Sequence, residues 1–159
     1  MSRSKLNIKP FKKEDITEVV DIIHSTIKIC YPAIYQPEVV DFFLEYHSKQ
    51  SILDRSEKGE LYTLHVDNKL IGTIYFVDTE FGGLYILPEF QKMGYGGESI
   101  KFLLKRAKSQ GFKKVWLDAT PGSKSLYVRL GFKLIEERIM FVENDIPLPY
   151  TYMEYKFGS

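Results

Sequence analysis

Gln91-Lys92-Met93-Gly94-Tyr95-Gly96-Gly97 places three of the chain's 11 glycines within seven residues. The apolar stretch Phe81 to Leu87, closed by Pro88, comes before it and reads as a strand. Ile100, Leu103, Leu104 and Ala107 come after it at helical spacing, so Gly96 to Gln110 reads as a helix with Gly111 as its C-cap. Glycines between a strand and a helix let successive N–H groups point into one cavity. The helix dipole adds positive potential there, and the two together hold phosphate oxygens. Glycine also lets a ligand come close to the main chain.

Several loops share that chemistry. A P-loop needs Gly-Lys followed by Ser or Thr, which occurs nowhere in the chain. A dinucleotide fingerprint fits in part: Gly94-Tyr95-Gly96 is followed by Ser99 at the third-glycine position, and Asp118 lies 24 residues after Gly94. That motif begins directly after its strand, whereas six residues separate Leu87 from Gly94, and little chain remains after Asp118 for a second parallel half. A helix-start loop with no ligand is the plain alternative.

Outward from the loop, Leu6 to Phe11 reads as a strand. Ile16, Val19, Val20, Ile23 and Ile27 make Lys13 to Ile29 an amphipathic helix stopped by Pro32. Pro37 opens a second helix to about Lys49, burying Val40 and Phe43. Leu61 to Val66 and Leu70 to Asp78 form a hairpin. Lys114 to Ala119 is a strand and Ser123 to Leu130 a short helix ended by Gly131. Lys133 to Val142 and Thr151 to Phe157 are the last strands, with Pro147 and Pro149 in the loop between them. With no linker or repeat, residues 1–159 read as a single α+β domain with a mixed, mostly antiparallel sheet.

Two motifs in register carry a family resemblance. Ile86-Leu87-Pro88-Glu89-Phe90 and the glycine loop resemble the acetyl-coenzyme A loop of the GNAT N-acetyltransferases, whose pattern is Gln/Arg-x-x-Gly-x-Gly/Ala. Ser125-Leu126-Tyr127-Val128-Arg129-Leu130-Gly131-Phe132 resembles that family's LYxxxGF element. The resemblance spans roughly Leu6 to Phe157. It implies a twisted sheet splayed at the cofactor site with helices on both faces, and acetyl-CoA as co-substrate without a metal. It implies that Gln91, Lys92, Met93, Gly94, Tyr95, Gly96 and Gly97 bind the pyrophosphate, mainly through backbone N–H groups. Ile86 and Leu87 would pair with the pantetheine amides.

Acetyl transfer to an amine needs a neutral nucleophile, a donor for the oxyanion and a proton for the departing thiolate. The resemblance makes Tyr127 the general acid; a core tyrosine on a short helix is the alternative. It places Glu80, 11 residues before Gln91, where several members carry the base; a turn glutamate is the alternative. Many members have an asparagine where Thr120 stands, and Ser123 is the candidate replacement contact, as well as a helix N-cap. The implied reaction is direct attack by a primary amine of a small molecule or peptide in a ternary complex. A non-catalytic acyl-CoA-binding domain on the same fold is the competing reading, followed by a dinucleotide-dependent oxidoreductase.

Composition narrows the classes further. Cys30 is the sole cysteine, which excludes a disulfide framework and a thiolate zinc cluster. His24, His47 and His65 show no metal-ligand spacing. No apolar run approaches a membrane span, so the expectation is a cytoplasmic protein, monomer or homodimer, with no membrane or nucleic-acid partner. The net charge of +1 hides a block. Residues 92–114 hold Lys92, Lys101, Lys105, Arg106, Lys108, Lys113 and Lys114 against Glu98 alone. Such a field steers an anion to the glycine loop. The remainder is mildly acidic and suits a cationic acceptor. Tyr31, Pro32, Ile34, Tyr35 and Pro37, with Asp145, Pro147, Pro149, Tyr150 and Tyr152, are candidate walls for that acceptor.

Overall fold

The computed structural model describes residues 3–143 and 145–158. Its elements run β1 (Leu6–Pro10), α1 (Ile16–Cys30), α2 (Pro37–Tyr46), α3 (Lys49–Lys58), β2 (Glu60–Val66), β3 (Lys69–Val77), β4 (Glu80–Ile86), α4 (Tyr95–Ser109), β5 (Lys114–Ala119), α5 (Lys124–Arg129), β6 (Lys133–Val142) and β7 (Ile146–Lys156). The seven strands form one sheet in the order β1-β2-β3-β4-β5-β7-β6. All neighbours are antiparallel except β4 and β5. This is the mixed, mostly antiparallel sheet that the sequence implies.

Local chemistry explains the joints. Asp67 and Asn68 both have positive φ, 50° and 65°, as a two-residue hairpin turn between twisted strands requires. The apolar stripe of α1 buries Val19, Ile22, Ile23 and Ile27 on one face of the sheet, together with Ile52 of α3. The stripe of α4, Ile100, Leu103 and Ala107, buries on the other face against Leu64, Ile71 and Phe76.

The second helix does not reach Lys49. It stops at Tyr46, and a third helix begins after Ser48, whose hydroxyl accepts from the Ser51 N–H at 3.2 Å. Within α2 it is Val39, rather than Val40, that is fully buried. Pro147 and Pro149 are not in a loop but within β7, paired with Phe141 and Ile139 of β6. There β7 has already passed the end of β5 at Ala119–Thr151, so a residue without an N–H is tolerated.

Both helices flanking β5 end in the same cap. Gly111 and Gly131 have φ of 85° and 103°. Phe112 N–H reaches Ala107 O at 3.1 Å and Phe132 N–H reaches Tyr127 O at 3.0 Å, while Gly111 and Gly131 donate to Lys108 and Val128. These are Schellman motifs. In the second, Tyr127 and Phe132 rings meet edge-on with centroids 5.8 Å apart. The Leu-Tyr-x-x-x-Gly-Phe pattern is thus a helix stop that fixes Tyr127 by its carbonyl and its ring.

Gly131→Ala tests this. A Cβ would be forced into the left-handed region and would stand 3.0 Å from the Tyr155 ring. The expected loss is about 1–2 kcal/mol in urea unfolding; an unchanged midpoint would contradict the cap.

Candidate active site

β4 and β5 share a single pair of Cα partners, Glu80 and Trp116, with Trp116 N–H bonded to Thr79 O at 3.0 Å. Beyond that pair the two strands part. Antiparallel alternation decides which backbone groups of β4 face the opening. Leu87 N–H donates to Ile71 O at 2.8 Å, and Leu87 O accepts from Phe90 N–H, so Leu87 has its backbone groups engaged. Ile86 lies in the alternate register, opposite Gly72, and its N–H faces the gap. Of the two residues expected to pair with a ligand, Ile86 retains the free donor.

The glycine loop sits at the C-terminal side of that gap. Gly94 takes φ of 86° and serves as N-cap of α4, with no side chain capping the helix. The N–H groups of Tyr95, Gly96 and Gly97 therefore have no intrahelical acceptor. The side chains around them act differently from the backbone. Gln91 donates to Ile86 O at 2.8 Å, bracing the loop on the end of β4. Tyr95 is buried, donates to Ser4 O at 2.7 Å and lies under the Arg3 guanidinium, tying the N-terminal segment to the helix. Lys92 has φ of 62° and, like Met93, is exposed.

The basic block is less isolated than the sequence suggests. Glu60 holds Arg106 in a bidentate contact at 3.0 and 3.1 Å, and Glu154 pairs with Lys114 at 3.2 Å, while the block's own Glu98 is engaged by Arg3 from outside it. Strand residues far away in sequence thus neutralise part of the block.

A cleft of about 280 Å³ lies where β4 and β5 part. Tyr127, Glu80, Thr120 and Ser123 line it, so the fold brings together the two candidate catalytic residues. Tyr127 is 8% exposed. Burial, then the nearby Tyr31 hydroxyl, push its phenol well above the ordinary value, so it stays protonated at neutral pH. Glu80 is half-buried; burial, then the negative charge of Asp118, raise its carboxyl, while a 3.5 Å hydrogen bond from Tyr75 opposes the shift. Ser123 stands at the N-cap of α5 but does not cap it. Its hydroxyl donates to Thr120 O at 3.1 Å and lies 3.0 Å from the Thr120 hydroxyl.

Of the expected walls, Tyr31, Tyr35 and Tyr150 do line the cleft. Phe42, Phe43 and Tyr46, helix positions by their sequence, turn toward it from α2 as further walls. The signal was their crowding, three aromatics in five residues. His47 also lines it. It is buried, its Nδ1 accepts from the Arg55 guanidinium at 3.0 Å, and burial with the Arg55 charge pushes its pKa down to about 3, so it is neutral.

The family model described as Acetyltransferase (GNAT) family matches residues 20–132. The chain belongs to the GNAT acetyltransferase family. A comparison with curated proteins gave no match. Among solved structures, a GCN5-related N-acetyltransferase from Rhodopseudomonas palustris superposes with a TM-score of 0.89 at 17% identity, covering 99% of each chain. The PaiA N-acetyltransferase from Thermoplasma acidophilum in complex with coenzyme A gives 0.80 at 21% identity, covering 96% and 99%. A GNAT acetyltransferase from Elizabethkingia anophelis with acetyl-CoA bound gives 0.67 at 20% identity, covering 98% and 100%.

The raised Glu80 carboxyl has a stability consequence. Between its unfolded and folded pKa the native state binds more protons, so stability falls as pH rises through that window. Glu80→Gln removes the buried charge. It is expected to raise the urea midpoint at pH 8, with the gain vanishing toward pH 4; a lowered midpoint at pH 8 would contradict the burial penalty.

Proposed function

We propose that this chain is an acetyl-CoA-dependent N-acetyltransferase acting on a primary amine by direct transfer in a ternary complex. The observation that carries the reading is the parting of β4 from β5 beyond Glu80–Trp116, with Tyr127 buried at the opening. The residues present fit coenzyme A. An uncapped helix start offers backbone donors, Gly94 leaves open space where a Cβ would stand, and exposed Lys92 adds positive charge. Two of the similar structures contain coenzyme A or acetyl-CoA.

When bound, acetyl-CoA supplies an activated acetyl group as a thioester. The acetyl carbonyl oxygen needs a hydrogen-bond donor, which the backbone of β4 facing the gap supplies. Glu80 takes a proton from the acceptor amine, directly or through water, and the upward shift of its carboxyl makes it a stronger base than a free carboxylate. Tyr127 gives its proton to the departing sulfur. These transfers accompany formation of one N–C bond and breaking of one C–S bond. A buried phenol and a half-buried carboxylate facing one cleft favour catalysis over a binding-only domain.

Tyr127→Phe is expected to lower turnover roughly 10²-fold with little change in coenzyme A affinity; unchanged turnover would remove its role as acid. Gly96 gives a paired test of the loop. A Cβ there meets Leu126 and Leu84 at 3.6 Å, an ordinary contact. Gly96→Ala is therefore expected to retain coenzyme A binding by calorimetry, and Gly96→Asp to lose it by charge repulsion. Equal binding by both variants would move the phosphates elsewhere.

A further inference from the structure

The cleft outside the reacting centre has a chemical character of its own. Its walls are aromatic: Tyr31, Tyr35, Phe42, Phe43, Tyr46 and Tyr150 come from the α1–α2 connection, α2 and β7. Tyr31, Tyr35 and Phe43 meet pairwise at centroid distances of 5.0 to 5.5 Å, forming one packed wall. Aromatic faces carry negative electrostatic potential and attract cations.

The charged groups on the cleft have one sign. Among the described residues lining it, Glu80 and Asp118 are the carboxylates, and no lysine or arginine is present. Asp118 follows Trp116 by two residues on β5, so it shares a face of the sheet with Glu80, the partner of Trp116. It is exposed at the cleft and has no hydrogen bond or ion pair among the described residues. Two cations act on this pair from outside. Arg138 bears on Asp118 but is held by Glu136 at 2.9 Å and stacked on Tyr152 at 4.2 Å. Arg55 bears on Glu80 from behind the Tyr75 ring, committed to His47 and to Tyr46 O.

The proton count of the reaction then matters. A neutral amine is needed at the acetyl group, and Glu80 serves that end. An acceptor with one amine alone leaves the Asp118 charge unmatched against an aromatic wall that favours cations. Resting on the acetyltransferase reading, we infer that the acceptor is a diamine-type molecule: a primary amine whose far end carries a second positive charge, held by Asp118 and the aromatic wall. An acceptor with a carboxylate at that end meets like charge and is rejected.

Three acceptors of equal chain length separate the possibilities: 1,5-diaminopentane, pentylamine and 5-aminopentanoate. Each is assayed with the full chain and acetyl-CoA by release of coenzyme A thiol. The expected order of kcat/KM is diamine, then monoamine, then amino acid, with the diamine about tenfold or more above pentylamine. Asp118→Asn is expected to bring the diamine-to-pentylamine ratio within that variant close to one, and Asp118→Glu to restore it. Transfer to pentylamine as fast as to the diamine, or a ratio untouched by Asp118→Asn, overturns the inference while leaving the acetyltransferase reading intact. Coenzyme A binding with no thiol release for any of the three, nor for a wider panel of amines, overturns both.

Discussion

A single strand junction governs this molecule. Six neighbouring strand pairs build the sheet, and five of them are extended antiparallel ladders. The sixth, β4 with β5, is parallel and pairs at Glu80–Trp116 alone. Unpaired backbone inside a sheet is costly unless something else satisfies it. Here the cost is placed where an extended ligand with amide groups has room to take the missing ladder position. The same junction sets the electrostatics, because the one paired residue on β4 is Glu80 and its β5 partner lies two residues from Asp118.

Helix ends do the remaining positioning. The start of α4 is left without a side-chain cap, so its first N–H groups face outward with the helix dipole behind them. The end of α5 is closed by a Schellman motif that holds Tyr127 by its carbonyl oxygen and packs its ring on Phe132. One end is open for an anion and the other is locked to aim a phenol. Gln91 and Tyr95 belong to the same logic from the structural side: their side chains fasten the loop and the N-terminal segment, leaving the backbone to meet the ligand.

What could be read from the sequence is what neighbouring residues encode. The glycine loop and the Tyr-to-Phe segment are local hydrogen-bonding devices, so their residue types and spacing carry them intact. The amphipathic stripes of α1 and α4 are equally local. α3 was not legible because Lys49–Lys58 is mostly polar and buries Ile52 alone, which leaves no period to detect. The first half of β7 reads as a loop in the sequence because Pro147 and Pro149 signal breaks, and their tolerance depends on where β5 ends. The ion pairs that temper the basic block join residues on different elements, as Glu60 does with Arg106. Asp118 stands at the end of a strand with no local sign of its role, and only the fold places it beside Glu80 on the cleft.

We place acetyl transfer in the β4–β5 gap. A crystal structure of the chain grown with coenzyme A tests it most directly. Pantetheine is expected between β4 and β5, with an amide bonded to the Ile86 backbone, the pyrophosphate on the N–H groups of Met93 to Gly97, and the sulfur within hydrogen-bonding distance of the Tyr127 hydroxyl. Coenzyme A bound elsewhere, or a sulfur remote from Tyr127, would contradict it.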